Sequence, residues 1–223
     1  MSAPSGKTAT DIYHVLLTAY GPQYWWPADS PFEMMVGAIL TQNTNWQNVE
    51  KAIANLQLSG ALDARAMLDM DEIRLRELIR PSGFFRQKAA RLRLFCKFYL
   101  EQDREQGIKD LADPRAALLS LSGIGPETAD SILLYALGIP VFVVDAYTKR
   151  IFTRLGLLQE KTDYSQTQAW FHAQLDKDVS LYKEFHALIV QHAKQYCRVK
   201  PLCAHCPLGP ICPALKSWRE QRR

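Results

Sequence analysis

The sequence predicts an all-α protein, and three observations support this fold class. Apolar residues recur at helical spacing in most segments of the chain. Proline stands near the start of several segments and glycine just past the end, an arrangement typical of helices. No segment shows the regular alternation of apolar and polar residues that is typical of a strand. With 223 residues, of which 48% are hydrophobic and 22% charged, the chain is long enough to bury a full core.

Ten segments are predicted to be helical because their apolar residues recur at intervals of three and four positions. Pro31 and Pro114 open two of these segments, at a position where the missing N–H of proline costs no hydrogen bond. Glycine- and proline-containing turns at 21–22 and 81–83 separate neighbouring segments. The predicted bounds are 11–19, 31–40, 46–58, 71–79, 85–104, 114–120, 126–137, 147–155, 165–175 and 181–195.

One stretch combines a tight turn, a helix and a loop that ends in a carboxylate. Gly123 and Gly125 form the turn, and Pro126 then fits the first turn of a helix. Glycines ahead of a helix N-terminus let backbone N–H groups face an anion such as a phosphodiester, although the same pattern also occurs at ordinary helix corners. An apolar run at 141–144 leads to Asp145, which we expect at the start of the next helix.

Aromatic and polar side chains are concentrated in two of the predicted loops. Tyr24, Trp25 and Trp26 are adjacent, so they cannot all pack on one side of a helix, and we expect at least one to face a cleft. The polar sequence at 41–45 separates two apolar helices, where amides and hydroxyls either satisfy helix ends or probe a nucleic-acid groove. Trp46 follows directly and begins the next helix.

Four of the five cysteines lie in one C-terminal segment with the spacing C-x5-C-x2-C-x5-C. An intracellular chain of this length has no need of two disulfides in a short loop, so we interpret these cysteines as metal ligands. Structural zinc sites usually contain two close pairs, whereas one CxxC pair with wide flanks suits four thiolates around a larger cluster. Cys96 stands alone on a helix face and is predicted to belong to the core. The four predicted ligands are Cys197, Cys203, Cys206 and Cys212.

The two ends of the chain indicate its compartment and its class of partner. The N-terminus has no apolar signal core and no run approaches a membrane span, so we expect an intracellular protein with no membrane partner. The net charge is +4, but residues 197–223 hold six basic residues and one acidic residue, while the rest is close to neutral. Such a basic end suits a polyanion, although a solvated tail would have the same composition.

These motifs together resemble the helix-hairpin-helix DNA glycosylases of the endonuclease III type. The signature of that family is a hairpin LxGxGxxTA, followed by a glycine- and proline-rich loop and then by an aspartate. The resemblance extends from Tyr24 to the cysteine segment and covers most of the chain. The matching residues are Leu121, Gly123, Gly125, Thr128, Ala129, Gly138, Pro140 and Asp145.

The resemblance implies a two-lobed all-α fold in which a monomer binds double-stranded DNA with a damaged base in the cleft between the lobes. Residues 28–139 would form the lobe that ends in the hairpin, and residues 1–27 with 140–223 would form the other. The cysteines would bind a [4Fe–4S] cluster; the family pattern has six residues in the first gap, where this chain has five. The cluster is expected to be structural, since hydrolysis of a glycosidic bond has no redox step.

Residue by residue, the resemblance assigns catalysis to Asp145 and DNA contacts to the hairpin and a wedge. A carboxylate at this place would stabilise the oxocarbenium character of the sugar and would orient or deprotonate water. Asn43, with Gln42 beside it, would fill the gap left by an extruded base. In the cysteine segment, Arg198 and Lys200 would meet phosphates. The expected DNA contacts are therefore Gln42, Asn43, Gly123, Gly125, Thr128, Arg198 and Lys200.

One position departs from the bifunctional members of this family. Those enzymes place a lysine at the second position after the GxG, where it forms a Schiff base and cuts the strand, whereas this chain has Glu127. A carboxylate cannot form an imine, so we expect a monofunctional glycosylase that leaves an abasic site. Lys149 lies one helical turn after Asp145, but its neighbours resemble an ordinary helix face. His186 and His192 are expected to be packed or to cap helices rather than to catalyse.

The base that leaves most easily from such an enzyme is an N3- or N7-alkylated purine, because its positive charge already weakens the glycosidic bond. An aromatic pocket would hold this cation by stacking and cation–π contact. The aromatic pair before the first core helix and the VVDxY segment also resemble the alkylpurine-excising branch of the family. We therefore expect a base such as 3-methyladenine, although an oxidised pyrimidine or a mismatched thymine would stack on the same rings. The predicted pocket residues are Trp25, Trp26, Trp46, Glu127 and Tyr147.

Three alternatives stay open on the sequence alone. The first is a bifunctional endonuclease for oxidised pyrimidines, against which Glu127 counts. The second is a non-catalytic DNA-binding homologue, in which the hairpin and the basic end only hold phosphates. The third is an electron carrier that uses the cluster and has no need of Asp145.

Overall fold

The computed structural model describes residues 8–25 and 28–215, and throughout these residues the regular secondary structure is helical. The predicted all-α class is therefore confirmed. Within the described ranges, no helix is both long and apolar enough to cross a membrane. The helices are α1 (Ala9–Tyr20), α2 (Pro31–Leu40), α3 (Trp46–Leu58), α4 (Ala64–Asp69), α5 (Glu72–Leu78), α6 (Phe85–Glu101), α7 (Arg104–Lys109), α8 (Pro114–Leu119), α9 (Pro126–Ser131), α10 (Ala146–Arg154), α11 (Tyr164–His172) and α12 (Val179–Gln195).

Most helices begin where a polar side chain can accept a hydrogen bond from the first turn. Ser30 accepts from the N–H of Glu33 at the start of α2, and Asn45 accepts from the N–H of Asn48 at the start of α3. Such caps satisfy N–H groups that have no partner inside the helix. Aspartates cap six further helices of the described residues in this way: Asp63, Asp71, Asp113, Asp145, Asp163 and Asp178.

The helices differ from the sequence-based expectation in two places. The predicted helix 85–104 ends at Glu101, because Asp103 and Arg104 adopt left-handed backbone angles, with φ of 55° and 67°. The short α7 then follows, and its Gly107 has no room for a side chain, since a Cβ there would lie 1.5 Å from the carbonyl oxygen of Gln102. The six-residue α4 was not expected, because it is too short to show a periodic pattern.

The chain divides into two compact units, Trp26–Ile139 and Met1–Trp25 with Pro140–Arg223. We call them the hairpin unit and the cysteine unit. In the hairpin unit, α2 is the central helix, and all its residues from Phe32 to Leu40 are buried. It packs against α3, α6 and α9. The helix begun by α9 continues as a π-helical turn, Ile132–Ala136, which also packs on α2.

A buried lysine fixes the end of α2. Lys88 on α6 is 1% exposed, and its Nζ donates hydrogen bonds to the carbonyl oxygens of Leu40, at 2.8 Å, and Ser82, at 2.7 Å. Burial lowers the pKa of Lys88 from 10.5 to about 8. The lysine therefore satisfies a carbonyl at the C-terminus of α2 that has no partner inside the helix.

We expect Lys88→Met to lower the free energy of unfolding by about 3 kcal/mol, because two buried carbonyls lose their donor. Urea denaturation measures this change. Lys97→Met is the matched control, since Lys97 lies exposed on the same helix and makes only a surface ion pair with Glu101. Between pH 8 and 10.5 the unfolded chain holds more protons on Lys88 than the folded protein. The stability of the wild type should therefore rise with pH in this window relative to that of the methionine variant. Equal stabilities of the two methionine variants would contradict this account.

The core of the cysteine unit is aromatic and is built around α12. Phe142 and Phe171 stack with ring centroids 3.9 Å apart, and both meet Phe185 of α12 edge to face. The apolar run that precedes Asp145 is fully buried, and the N–H of Phe142 donates to His172 Nε2 at 3.0 Å. This packing holds residues 141–144, which have no regular secondary structure, and fixes the point at which α10 begins.

Candidate active site

Asp145 lies at the N-cap of α10, at the helix start where the sequence places it. Its Oδ1 accepts hydrogen bonds from the N–H of Thr148, at 2.7 Å, and from the Thr148 hydroxyl, at 2.8 Å. The side chain of Asp145 is 12% exposed. A carboxylate in this position is held in one orientation and stabilised by the N-terminal end of the helix.

The second oxygen of Asp145 faces a histidine. His186 of α12 places its Nε2 3.6 Å from Oδ2, and its side chain is 6% exposed. Burial by itself raises the pKa of the Asp145 carboxyl, but His186 and the two donors of Thr148 outweigh burial, so that the pKa lies below its ordinary value. Asp145 is therefore ionised at neutral pH and ready to act as a base or as an electrostatic stabiliser.

Two of the predicted pocket aromatics, Trp25 and Tyr147, belong to the same unit as this carboxylate. The Trp25 ring is tilted against the His186 ring, with centroids 5.6 Å apart. Tyr147 follows Asp145 by two residues, and the Arg150 guanidinium lies 5.1 Å from the centre of its ring. Trp26, which follows Trp25 in the sequence and was also predicted to line the pocket, lies outside the described residues.

In the hairpin unit, Trp46 lines a cavity of about 260 Å³ with an acidic wall. Its indole Nε1 donates to Glu50 Oε1 at 2.8 Å. Glu33 is buried, and its Oε2 accepts from the Gln57 amide at 3.2 Å. Asp29 adds a third carboxylate to the lining. A space bounded by an indole and by carboxylates favours a flat cationic group.

The predicted wedge begins where α2 ends. Asn43 is exposed and has a left-handed backbone with φ of 54°. Gln42, in contrast, is fully hydrogen-bonded inside the hairpin unit. Its Nε2 donates to the carbonyl of Gly123 and to the hydroxyl of Thr128, both at 2.9 Å, and its Oε1 accepts from Arg91 Nη1 at 2.5 Å. Of the two amides, Asn43 is therefore the one displayed on the surface.

The hairpin turn contains a glycine with a left-handed backbone and is hydrogen-bonded to Gln42. Gly123 has φ of 87°, and a side chain at this position would collide with the Arg91 side chain. Pro126 occupies the first turn of α9 after the N-cap Gly125, as expected. Thr128 is buried, so its hydroxyl holds the hairpin to Gln42, while Glu127 is exposed.

The four cysteines of the C-terminal segment, Cys197, Cys203, Cys206 and Cys212, line one cavity in the cysteine unit together with apolar side chains such as Leu155 and Leu208. Among the described residues, no three histidine, cysteine or acidic side chains converge on a point that could hold a single metal ion. The thiols surround a space instead. Burial and, to a smaller extent, the three neighbouring thiols raise the pKa of the Cys206 thiol to about 11. Four thiolates become favourable here only around a cationic group, and four sulfurs around one cavity fit a group that is held by four thiolates.

Two side chains contact the cysteine sulfurs. Arg154 Nη1 donates to Cys197 Sγ at 3.2 Å, and the same guanidinium donates to backbone carbonyls of the segment. His192 is buried, as expected; its Nδ1 lies 2.8 Å from the Tyr20 hydroxyl, and its Nε2 lies 3.7 Å from Cys206 Sγ.

The basic residues of the cysteine segment are exposed where the structure describes them. Arg198 and Lys200 lie on its surface. The remaining basic residues of the tail lie outside the described residues; they are Lys216, Arg219, Arg222 and Arg223.

The family of the chain follows from its match to known proteins. A family model described as "HhH-GPD superfamily base excision DNA repair protein" matches residues 36–175, which is more than half of the chain. The chain belongs to this superfamily. The resemblance to helix-hairpin-helix DNA glycosylases is therefore confirmed, and DNA glycosylase of base excision repair is its enzymatic class.

Three relatives illustrate the match of this HhH-GPD chain. A protein of Methanocaldococcus jannaschii, provisionally named a DNA repair glycosylase, is 52% identical over 206 residues, which cover 90% of this chain and 94% of that protein. The H. pylori 3-methyladenine DNA glycosylase bound to 1,N6-ethenoadenine has 31% identity and a TM-score of 0.74, covering 85% of this chain and 98% of that one. A non-covalent endonuclease III–DNA complex has a TM-score of 0.82 at 21% identity, covering 98% and 100%, and shows the shared fold alone.

In this HhH-GPD protein, the sequence did not predict two residues that contact the predicted site residues. His186 was expected to be packed or to cap a helix; it is packed, but it also faces Asp145. Arg91 holds Gln42 and fills the space beside Gly123. Both contacts join residues far apart in the chain, and no local pattern marks them.

Proposed function

We propose that this protein is a monofunctional DNA glycosylase that hydrolyses the N-glycosidic bond of an alkylated purine, such as 3-methyladenine, and leaves an abasic site in double-stranded DNA. The observation that carries the proposal is that the chain has an ionised, oriented carboxylate at Asp145 and a glutamate, rather than a lysine, at position 127. The protein would act on chromosomal DNA inside the cell, and it would do so as a monomer.

In the proposed reaction, Asp145 supplies negative charge where the sugar becomes cationic. As the bond to the base breaks, positive charge develops on the deoxyribose ring, and a fixed carboxylate lowers the energy of that state. The same carboxylate orients the water that adds to the sugar and accepts its proton. The hydrogen bonds from Thr148 support this role because they fix the carboxylate before the substrate arrives.

The proposal that the enzyme does not cleave the strand rests on the residue at position 127 and on the surroundings of Lys88. Glu127 cannot form the imine on which a lyase step depends. Lys88 has the lowered pKa expected of a nucleophilic amine, but it is buried and its Nζ is bonded to two carbonyls of the hairpin unit. Lys88 is therefore a structural residue and does not replace the missing lysine.

The preference for an alkylated purine is proposed from the acidic cavity beside Trp46. N3- and N7-alkylated purines are flat cations, and an indole face with nearby carboxylates attracts them more than neutral bases. Glu50 is fixed against the indole by its hydrogen bond, and Glu33 is held by Gln57. The wall of this cavity therefore keeps its negative charge close to the ring.

A [4Fe–4S] cluster would be held by the thiolates of Cys197, Cys203, Cys206 and Cys212. When bound, the cluster supplies four metal–sulfur bonds that tie the C-terminal segment together, and it takes no part in hydrolysis. The segment would then present Arg198 and Lys200 to phosphates, while Asn43 would enter the duplex as the wedge.

Incubation with defined duplexes tests the proposed function. The duplexes carry 3-methyladenine, thymine glycol, uracil or a T·G mismatch, and each product is analysed with and without alkali, with a parallel borohydride-trapping reaction. We expect cleavage of the 3-methyladenine duplex only after alkali, and no trapped adduct. Cleavage without alkali together with a trapped adduct would mean a bifunctional enzyme. Binding without release of any base would favour the non-catalytic homologue.

We expect Trp46→Ala to lower the rate of 3-methyladenine excision by about thirtyfold, the equivalent of a desolvated cation–π contact of about 2 kcal/mol. Binding of an undamaged duplex should change by less than about threefold, because the cavity holds only the base. Single-turnover rates and fluorescence anisotropy measure the two effects.

Two further variants on α3 separate the contribution of the carboxylate charge from that of the indole ring and provide a control. Glu50→Gln keeps the ring but removes a charge, so it should slow excision of 3-methyladenine more than excision of the neutral 1,N6-ethenoadenine. Leu58→Ala alters a side chain that is 88% exposed on the same helix and should leave all rates unchanged. Equal losses of rate and of duplex affinity in Trp46→Ala would contradict the assignment of the cavity.

A further inference from the structure

We propose that His186 is a positioning residue that holds the carboxylate of Asp145 in its reactive orientation and in its ionised form. This inference rests on the proposed function, because it gives Asp145 a role in base excision. His186 touches neither substrate nor sugar in this proposal and transfers no proton.

The two oxygens of Asp145 have separate partners. Oδ1 makes the helix cap with Thr148, as aspartates do at other helix starts of this protein, for example Asp163 at α11. Oδ2 has no part in the cap and lies 3.6 Å from His186 Nε2, within ion-pair range and just beyond a normal hydrogen bond. The contact with the histidine is thus additional to what α10 needs in order to begin.

The pair is shielded from water. The side chains of Asp145 and His186 are 12% and 6% exposed, and the Trp25 ring lies against the imidazole. Attraction between a carboxylate and an imidazole N–H is stronger in such surroundings than at the surface. Because α12 is anchored in the aromatic core through Phe185, the histidine has a rigid support.

The charge balance at Asp145 depends on this histidine. Burial favours the protonated carboxyl and is the strongest influence on its pKa, while His186 is the strongest influence in the opposite direction. Among the described residues, the other groups acting on Asp145 are the N–H and the hydroxyl of Thr148. Without His186, the pKa of Asp145 would rise, and the acidic side of the pH–rate profile would move to higher pH.

A matched pair of amide variants tests the proposal. The amide nitrogen of His186→Gln can reach the place of Nε2, whereas the shorter side chain of His186→Asn cannot. We expect His186→Asn to shift the acidic limb of single-turnover excision upward by about one pH unit, so that on this limb the rate at a given pH falls by about tenfold. Duplex affinity should stay within about threefold, and His186→Gln should recover most of the wild-type profile. Equal slowing by both variants at every pH would overturn the proposal.

A second measurement is independent of catalysis. The ionisation of Asp145 is followed by carbon-13 NMR of its labelled carboxyl in the wild type and in both variants. We expect the midpoint to rise in His186→Asn and to stay near that of the wild type in His186→Gln. An unchanged midpoint in His186→Asn would overturn the positioning role. If the midpoint rises in His186→Asn but the wild-type protein excises no base, the result supports the contact between His186 and Asp145 and contradicts the proposed function instead.

Discussion

Asp145→Asn is expected to lower the rate of base excision by about a thousandfold while binding of undamaged duplex stays within about threefold of the wild type. Asparagine caps a helix as well as aspartate does, so the hydrogen bonds with Thr148 and the start of α10 should survive. What the variant loses is the negative charge that stabilises the cationic sugar and accepts the proton of water. Single-turnover excision of 3-methyladenine and fluorescence anisotropy measure the two quantities.

Asp163→Asn is the matched control for this experiment. Asp163 is also an N-cap aspartate of the cysteine unit, where it forms a reciprocal cap with Gln166 at the start of α11. The same chemical change at this position should leave both excision and binding unchanged. If Asp145→Asn excised the base at the rate of the control, the chemistry would have to lie with another residue.

Cys206→Ser is expected to give colourless protein without iron and to lower the free energy of unfolding by more than about 3 kcal/mol. The Cys206 sulfur lies in the cavity that the three other cysteines line. A hydroxyl is a poor ligand for iron, so the proposed cluster would be lost, together with the folding free energy that its binding would contribute. Iron content, visible absorbance and urea denaturation measure the result.

Cys96→Ser separates loss of a ligand from loss of a buried thiol. Cys96 is fully buried in the hairpin unit, where its sulfur lies 3.7 Å from Met67 Sδ. This variant should keep its brown colour and its iron and should lose only about 1 kcal/mol of stability. A brown Cys206→Ser protein would show that the ligand set is wrong.

The positions of the helices were largely predictable from the sequence, because their signals are local. Proline at the start of α2 and the polar cap Asn45 before α3 mark boundaries that the structure reproduces. The break after Glu101 was not predictable, because neither of the left-handed residues there, Asp103 and Arg104, is a glycine, which is the residue that usually marks such a turn.

The residues of the candidate site were predictable, but their partners were not. Asp145 and the cysteines follow from short motifs, and the structure places the former at a helix start and the latter around one cavity. The contact of His186 with Asp145 spans 41 positions of sequence and depends on how α12 packs. The burial of Lys88 likewise depends on tertiary packing, since a lysine in the first turn of a helix is ordinarily exposed.

The hydrogen bonds of Gln42 have a consequence for natural variation in this family. Its amide uses both N–H groups and its oxygen, so a hydrophobic residue in its place would leave Arg91, Thr128 and the Gly123 carbonyl without this partner, and a glutamate, which has no N–H, would leave the Gly123 carbonyl without its donor. Homologues that have another residue at position 42 should therefore also differ at positions 91 and 128. An alignment of homologues should show these three positions changing in step, whereas the exposed neighbour Asn43 should vary on its own.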